Sequence, residues 1–480
     1  MSATPRNVVL IAVDQWRGDC LSGAGHPVVR TPYLDQLAGR GARFDRAYSA
    51  VPSCIPARAA LHTGLAQETH GRTGYRDGVP WEYPVTLAGE FGRNGYQTRA
   101  IGKLHTYPER NRLGFDEVTL HDGYLHFARE RGRDPRFHDD YLAWLERQPG
   151  EVPGSDYAEN GLDCNSVVAR PWDRPERLHP TNWVVSEAID FLYRRDPGSP
   201  FLLHLSFHRP HPPYDPPRWA FEQYTGAPPY EPVRGDWADA LEGWRDDSRA
   251  DANLASYDAG TVQRARAGYF GHMSHIDQQI QRFVAALGEF GLGDDTWICF
   301  TSDHGEMLGE HGLWRKAYPY EGSARVPLIL AGPPGELPRG GAPSAVVELR
   351  DVMPTLLECA GLPVPEGLDG RSVLGLARGE DVVDWRPYLH GEHTLFGESM
   401  QWLTDGHEKY VWFSGSGREQ LFDLDGDPQE LHDFGSDRPL RVALWRARLV
   451  DALRGRPEGY VDGESLVSGC PALEVQPGVV

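Results

Sequence analysis

The stretch Asn7-Val8-Val9-Leu10-Ile11-Ala12-Val13-Asp14 is an unbroken apolar run, rich in β-branched residues, that ends on a carboxylate. A continuous run, as opposed to an alternating one, is what a strand buried on both faces requires. Asp14 then stands at the C-terminal end of a strand, where open α/β sheets place their ligands. Comparable runs recur at 96–101, 201–207, 296–301 and 326–330. Helical periodicity separates them, at 31–39 with Thr31 as N-cap and Pro32 at the first helical position, at 84–94 ended by Gly95, and at 181–195, 261–290 and 351–359. Strands alternating with helices give an α/β fold with a large sheet flanked by helices.

The chain has 480 residues, more than one comfortable core, so a large domain with a smaller partner is expected. Residues 361–384 are rich in Gly, Pro and Asp and mark the boundary, dividing the chain into 1–375 and 376–480. Beyond it, short strands at 400–404, 409–413 and 419–423 precede a helix at 438–453, an antiparallel α+β subdomain. The residues after Arg454 read as an irregular arm. Two insertions, at about 121–180 and 212–259, break the helical and strand periodicity.

A hydrophobic share of 40% and a charged share of 24% describe an ordinary globular chain. The net charge of −21 argues against nucleic acid and polyanionic polymers, because summed repulsion opposes both. The run at 8–13 is too short for a membrane span or a signal-peptide core, which points to a cytoplasmic protein with no membrane partner. Six scattered cysteines make neither a disulfide framework nor a paired zinc motif. A homo-oligomer stays open.

The chemistry gathers around residues 51–64, which contain Cys54-Ile55-Pro56-Ala57-Arg58 and stop at Gly64. Pro56 suits the first turn of a helix, which puts the Cys54 thiol at a helix N-terminus. Unpaired N–H groups and the positive dipole end favour a tetrahedral oxyanion there, and Arg58, one turn on, can point its fork the same way. A lone Cys-x-Pro is more often a small buried cysteine near a turn, whereas Cys-x-Pro-x-Arg is more specific.

Further groups terminate the other strands. Gly102-Lys103-Leu104-His105 sets two cationic-capable side chains two residues apart, so both can face one anion. His208-Arg209-Pro210-His211-Pro212-Pro213 presents imidazoles on a proline-fixed loop, where acid catalysis is useful. Asp303-His304 ends a strand as Asp14 does, so three metal-competent groups converge on one sheet edge. Oxygen-dominated ligands favour Ca²⁺, and the imidazole also admits Mn²⁺.

These motifs, in this order, resemble the type I, formylglycine-dependent sulfatases of the alkaline phosphatase superfamily, and within them the choline sulfatase and phosphonate monoester hydrolase branch. The resemblance implies an alkaline phosphatase-like fold, with a large mixed, mostly parallel sheet and a smaller C-terminal antiparallel-sheet subdomain. It implies that Cys54 is oxidised to Cα-formylglycine by a formylglycine-generating enzyme and that the hydrated aldehyde is the nucleophile. By the same resemblance Asp14, Cys54, Asp303 and His304 hold the metal. Lys103, Lys316 and Arg58 stabilise sulfate oxygens, His105 attends the formylglycine, and His211 protonates the leaving group with His208 as a neighbour.

Two positions depart from the family pattern, and one assignment is ambiguous. Gln15 replaces a second carboxylate and either ligates through its carbonyl oxygen or points elsewhere. Asp77 stands where an anion-contacting Asn is usual, so either the match is offset or Asp77 meets a cationic part of the substrate. Arg315 beside Lys316 leaves that assignment ambiguous by one residue. The implied activity is hydrolysis of a small aryl or alkyl sulfate monoester. The alternatives are a phosphonate monoester or phosphodiester hydrolase on the same scaffold, opposed by Lys103 and His105, and a non-catalytic anion-binding relative. Trp219, Tyr224, Trp237 and Trp244 suit an aromatic or quaternary ammonium leaving group, or equally loop packing.

Overall fold

The computed structural model describes residues 6–123, 134–150, 162–228 and 230–478. Strands β1 (Asn7–Asp14), β2 (Ala42–Arg43), β3 (Gln97–Gly102), β4 (Glu117–Leu120), β5 (Phe201–Pro210), β6 (Thr296–Ser302) and β7 (Leu328–Ala331) form a seven-stranded sheet. Their order is β2-β7-β6-β1-β5-β3-β4. The five strands from β6 to β4 pair in parallel, and β7 runs antiparallel to both β6 and β2. The sheet is mixed and mostly parallel.

Every residue of β1 is buried, as its unbroken apolar run requires. Val9, Ile11 and Val13 enter one core and Val8, Leu10 and Ala12 the other, because successive side chains leave a strand on opposite faces. Each of the Val, Leu and Ile side chains contributes about 1.5–3 kcal/mol on full burial.

The helices flanking the sheet are α1 (Pro32–Gly39), α2 (Cys54–Thr63), α3 (Leu87–Arg93), α4 (Pro180–Arg194), α5 (Ala259–Glu289) and α6 (Val352–Cys359). Trp183, Ala188 and Leu192 of α4 join Met273, Ile276 and Phe283 of α5 over one face. Leu61 of α2, Phe91 of α3 and Leu356 of α6 cover the other. The helix expected from residue 84 begins at Leu87, because the Thr86 hydroxyl accepts the Gly89 N–H at 3.2 Å and sets the cap there.

A second, four-stranded antiparallel sheet follows, with β8 (Leu389–Leu395), β9 (Glu398–Thr404), β10 (Glu408–Phe413) and β11 (Glu419–Asp423) in chain order. Helix α7 (Pro439–Leu453) packs Trp445, Leu449 and Leu453 on Leu403, Tyr410 and Leu421. The opposite face, through Trp402, Val411 and Phe422, shares a core with Tyr48, Tyr318 and Tyr320 of the larger part. Strand β8 escapes sequence pattern because His390, Glu392, His393 and Thr394 interrupt its apolar character.

The C-terminal arm is more ordered than its composition suggests. Val461–Asp462 pairs with Ser465–Leu466, and the Glu474 carbonyl accepts from the Thr73 and Gly74 N–H groups at 3.0 Å. The insertion at 121–180 contains a helix at Asp140–Leu145 that buries Tyr141 and Leu145, while 124–133 and 151–161 lie outside the described residues. Among the described residues no helix is long and apolar enough to cross a membrane.

Candidate active site

Strands β1, β3, β5 and β6 are parallel neighbours, so the residues that follow them emerge on one edge. Asp14 closes β1, Lys103 follows β3, His211 follows β5, and Asp303 and His304 follow β6. Gly102 is required before Lys103, because its φ is +99° and a Cβ there would fall 1.8 Å from the Ser206 carbonyl oxygen. Helix α2 points its N-terminus at the same edge, with extended Ser53 as N-cap and Cys54 as its first residue. Gly64, in the left-handed conformation, ends it.

Asp14, Cys54, Asp303 and His304 are all buried, and their donor atoms lie within 4.8 Å of one another. Cys54 Sγ is 3.7 Å from Asp14 Oδ1 and 3.2 Å from His304 Nε2. His304 donates its Nδ1–H to the Gly305 carbonyl at 2.9 Å, which leaves the Nε2 lone pair facing the cluster. Asp303 Oδ1 accepts the N–H groups of Gln15 and His304 at 3.1 and 3.0 Å. Two carboxylates, an aimed imidazole and residue 54 make a donor set that fits a divalent cation.

Arg58 is committed to this scaffold. Its Nε and Nη2 reach Asp303 Oδ2 at 3.0 Å, and Nη1 donates to the Lys103 carbonyl and Ser206 Oγ at 2.9 Å. Lys103 forms a buried ion pair with Asp14. Burial alone would raise the Asp14 pKa, but Lys103, His211, His304 and Lys316 outweigh it and hold the carboxyl well below the usual range. Burial and Asp14 oppose a thiolate at Cys54, yet Lys103, Lys316 and His304 hold its pKa well below that of an ordinary thiol.

Lys316 faces the same edge from the loop after β6. Its Nζ donates to Gln15 Oε1 at 2.8 Å and to His211 Nε2 at 2.7 Å. The Gln15 amide is held from its other end, where Nε2 donates to the Glu306 carboxylate. Gln15 therefore turns its carbonyl oxygen to Lys316 and stands outside the four-residue donor cluster. Glu306 also accepts the N–H groups of Arg315 at 2.6 Å and Leu308 at 2.9 Å. This clamp holds the loop in strained backbone, with Gln15, Arg315 and Ala317 at φ of 71°, 66° and 84°.

Arg315 points away from Lys316, donating to the Asp251 carbonyl and Asn253 Oδ1 at 3.2 and 3.3 Å. His105 is buried, with its ring 6.0 Å from that of Tyr75 and its backbone N–H on Asp122 Oδ1 at 3.0 Å. His208 packs its ring 5.0 Å from His211. Asp77 accepts the Gly78 N–H at 2.7 Å and is not among the residues lining the pocket that opens on Lys316. That pocket, of about 230 Å³, is lined by Ser53, Tyr75, Asn253, Arg315, His393 and Phe396 together with Lys316.

Sequence reasoning missed Glu306, Ser53 and His393. Glu306 had a faint signal, a carboxylate two residues beyond a strand-terminal Asp-His pair. His393 had none, since it reaches Ser53 Oγ at 2.8 Å from the C-terminal sheet.

The family model described as Sulfatase matches residues 6–362. The chain belongs to the sulfatase family. A second family model, described as N-sulphoglucosamine sulphohydrolase, C-terminal, matches residues 309–443. This sulfatase is 46% identical to an arylsulfatase of Clostridium perfringens, over 97% of its own chain and 98% of the relative. It is 30% identical to a choline-sulfatase of Rhizobium meliloti, over 94% and 89%. Among solved structures, the phosphonate monoester hydrolase of Agrobacterium radiobacter superposes with a TM-score of 0.79 at 28% identity, covering 93% of this chain and 95% of that one. The sulfatase is thus a sulfuric ester hydrolase on an alkaline phosphatase-like scaffold.

Proposed function

We propose that this sulfatase hydrolyses a small aryl or alkyl sulfate monoester at residue 54, using formylglycine made from Cys54 by a formylglycine-generating enzyme. The observation that carries the reading is Cys54 at the N-terminus of α2, within the four-residue donor cluster, with Lys103, Lys316 and His211 gathered at the same sheet edge. Once formed, formylglycine supplies a hydrated aldehyde hydroxyl as the nucleophile. Asp14, Asp303, His304 and residue 54 would hold a divalent cation, Ca²⁺ in preference to Mn²⁺, which supplies Lewis-acid stabilisation and lowers the nucleophile's pKa.

The chain's own side chains do the rest. Lys103 and Lys316, with the first N–H groups of α2, bind the sulfate oxygens where negative charge develops. Arg58 acts through others, orienting Asp303 and the turn that carries Lys103. Lys316 and His211 deliver a proton to the leaving oxygen, and His105 acts as base at residue 54 in sulfate release. Burial of every donor excludes water and strengthens these charges. No disulfide joins the cysteines among the described residues, which suits a reducing, cytoplasmic compartment.

Phosphonate monoester or phosphodiester hydrolysis is the second reading, favoured by Gln15 in place of a carboxylate and by the 28%-identical solved relative. Turnover of matched aryl sulfate, phosphodiester and phosphonate monoester substrates by the matured enzyme tests both. The sulfate reading requires the highest kcat/KM on the sulfate, and a higher value on either phosphorus ester would replace it with the second.

A further inference from the structure

Arg266, on α5, is 8% exposed, and among the described residues it makes neither an ion pair nor a hydrogen bond; its Nη1 is buried without a partner. Buried guanidinium groups are ordinarily paired with a carboxylate. Its flat face packs on aromatic rings, with Cζ 3.3 Å from the Tyr230 ring centroid and 5.3 Å from that of Phe270, and Glu310 acts on its charge without bonding to it. Arg266 lines a cavity of about 360 Å³, separate from the pocket at Lys316, and Arg17, His26, Phe270 and Leu308 line it too.

His26 adds a second donor to this cavity. Its Nδ1 accepts the N–H groups of Val28 and Val29 at 3.2 and 2.9 Å, so the neutral ring carries its proton on Nε2. Burial lowers its pKa to about 4, which keeps the ring neutral. The acidic groups on the same wall are already committed. Asp19 takes two hydrogen bonds from Arg17, at 2.8 and 2.9 Å. Glu310 takes Arg17 at 2.9 Å and the Tyr230 hydroxyl at 2.9 Å. The cavity therefore offers one unpaired guanidinium and one imidazole N–H, both without acceptors, beside an apolar surface that includes Val28, Phe270 and Leu308.

We propose that this cavity binds a small organic monocarboxylate with a flat apolar body, its carboxylate on Arg266 and His26 and its body against Phe270 and Leu308. A planar carboxylate matches the guanidinium fork. A monoanion is preferred to a phosphate, because Asp19 and Glu310 lie close enough to oppose a second negative charge. The apolar lining excludes a bare inorganic anion as the best ligand.

Calorimetric titration of the mature, metal-loaded enzyme with benzoate tests the site. Arg266→Met is expected to weaken benzoate binding at least tenfold while leaving turnover of 4-nitrophenyl sulfate unchanged. Lys316→Met, which alters the catalytic pocket, is expected to bind benzoate as the unaltered enzyme does. No saturable binding up to about 10 mM, the weak end of specific small-molecule affinity, would overturn the proposal, as would loss in Lys316→Met with retention in Arg266→Met. Should Arg266→Met fail to fold, crystals of the unaltered enzyme soaked with 4-bromobenzoate decide. A bromine anomalous peak in the Arg266 cavity supports the site, and a peak solely at Lys316 or none at all overturns it.

Discussion

Lys316 Nζ stands 2.7 Å from His211 Nε2, and His211 commits its Nδ1–H to the Pro212 carbonyl at 2.9 Å. The imidazole thus receives a hydrogen bond on the side facing Lys316, and the transferable proton sits on the lysine. Burial, followed by the charge of Lys316, holds the His211 pKa well below its ordinary value. Under the proposed function, acid catalysis belongs to the pair, with His211 tuning and aiming the lysine.

If so, Lys316→Ala and His211→Ala remove one function. Each is expected to lower kcat by about 10²–10⁴, and the double variant by little more than the worse single one. The loss grows with the pKa of the departing phenol, because poor leaving groups need the proton most. A series of substituted aryl sulfates measures this slope, and losses equal across the series would show that neither residue supplies the proton.

Residue 54 carries a sharper prediction. Peptide mass spectrometry of protein matured with a formylglycine-generating enzyme is expected to show a loss of about 18 Da at Cys54, the change from thiol to aldehyde. Cys54→Ala and Cys54→Ser both lose most turnover, since neither yields the aldehyde. Near-normal activity in either variant would remove residue 54 from the nucleophile's role.

Much of this was legible in sequence, for a physical reason. The central strands must be apolar throughout because helices cover both faces, and such runs stand out. Asp14, Lys103, His211 and Asp303 were readable because parallel strands deliver their last residues to one edge. The register of Arg315 and Lys316 was not, since adjacent residues in a strained loop point in opposite directions by an amount that only the Glu306 clamp decides. The place of Arg58 was also hidden. An arginine one turn after Cys54 suits an anion, yet its fork is occupied by Asp303, Ser206 and the Lys103 carbonyl. His393 belongs to a strand whose polar residues are buried against another part of the chain, and no local pattern records that.

The Glu306 clamp makes its own prediction. In Glu306→Gln the single carbonyl oxygen stays with the Arg315 and Leu308 N–H groups and the new NH2 faces Gln15 Nε2, so Gln15 must rotate and turn its N–H toward Lys316. That repels the ammonium, and kcat is expected to fall at least tenfold with KM and melting temperature little changed. Glu306→Ala strands the Arg315 and Leu308 N–H groups, at about 1–3 kcal/mol for each buried donor, and lowers the melting temperature as well. Unchanged kcat in Glu306→Gln would show that Gln15 does not position Lys316.

Asp277 links the fold to pH. It lies on α5, nearly inaccessible, and accepts the N–H groups of Tyr33 at 3.2 Å and Leu34 at 2.7 Å in the first turn of α1. Burial pushes its carboxyl up from 3.8 to about 7, with the two N–H groups only partly offsetting it. Between these values the folded chain holds a proton that the unfolded chain has released, so stability falls as pH rises from about 4 to about 7, by at most about 1.4 kcal/mol per pH unit. Above that window both states are ionised and the contribution is flat. Asp277→Asn keeps an acceptor for Leu34 but cannot ionise, so it is expected to gain stability over the unaltered enzyme steadily across the window and then level off. Urea unfolding at a series of pH values measures the difference, and a constant offset, or one that shrinks with rising pH, would mean that Asp277 is ionised at no cost beneath α1.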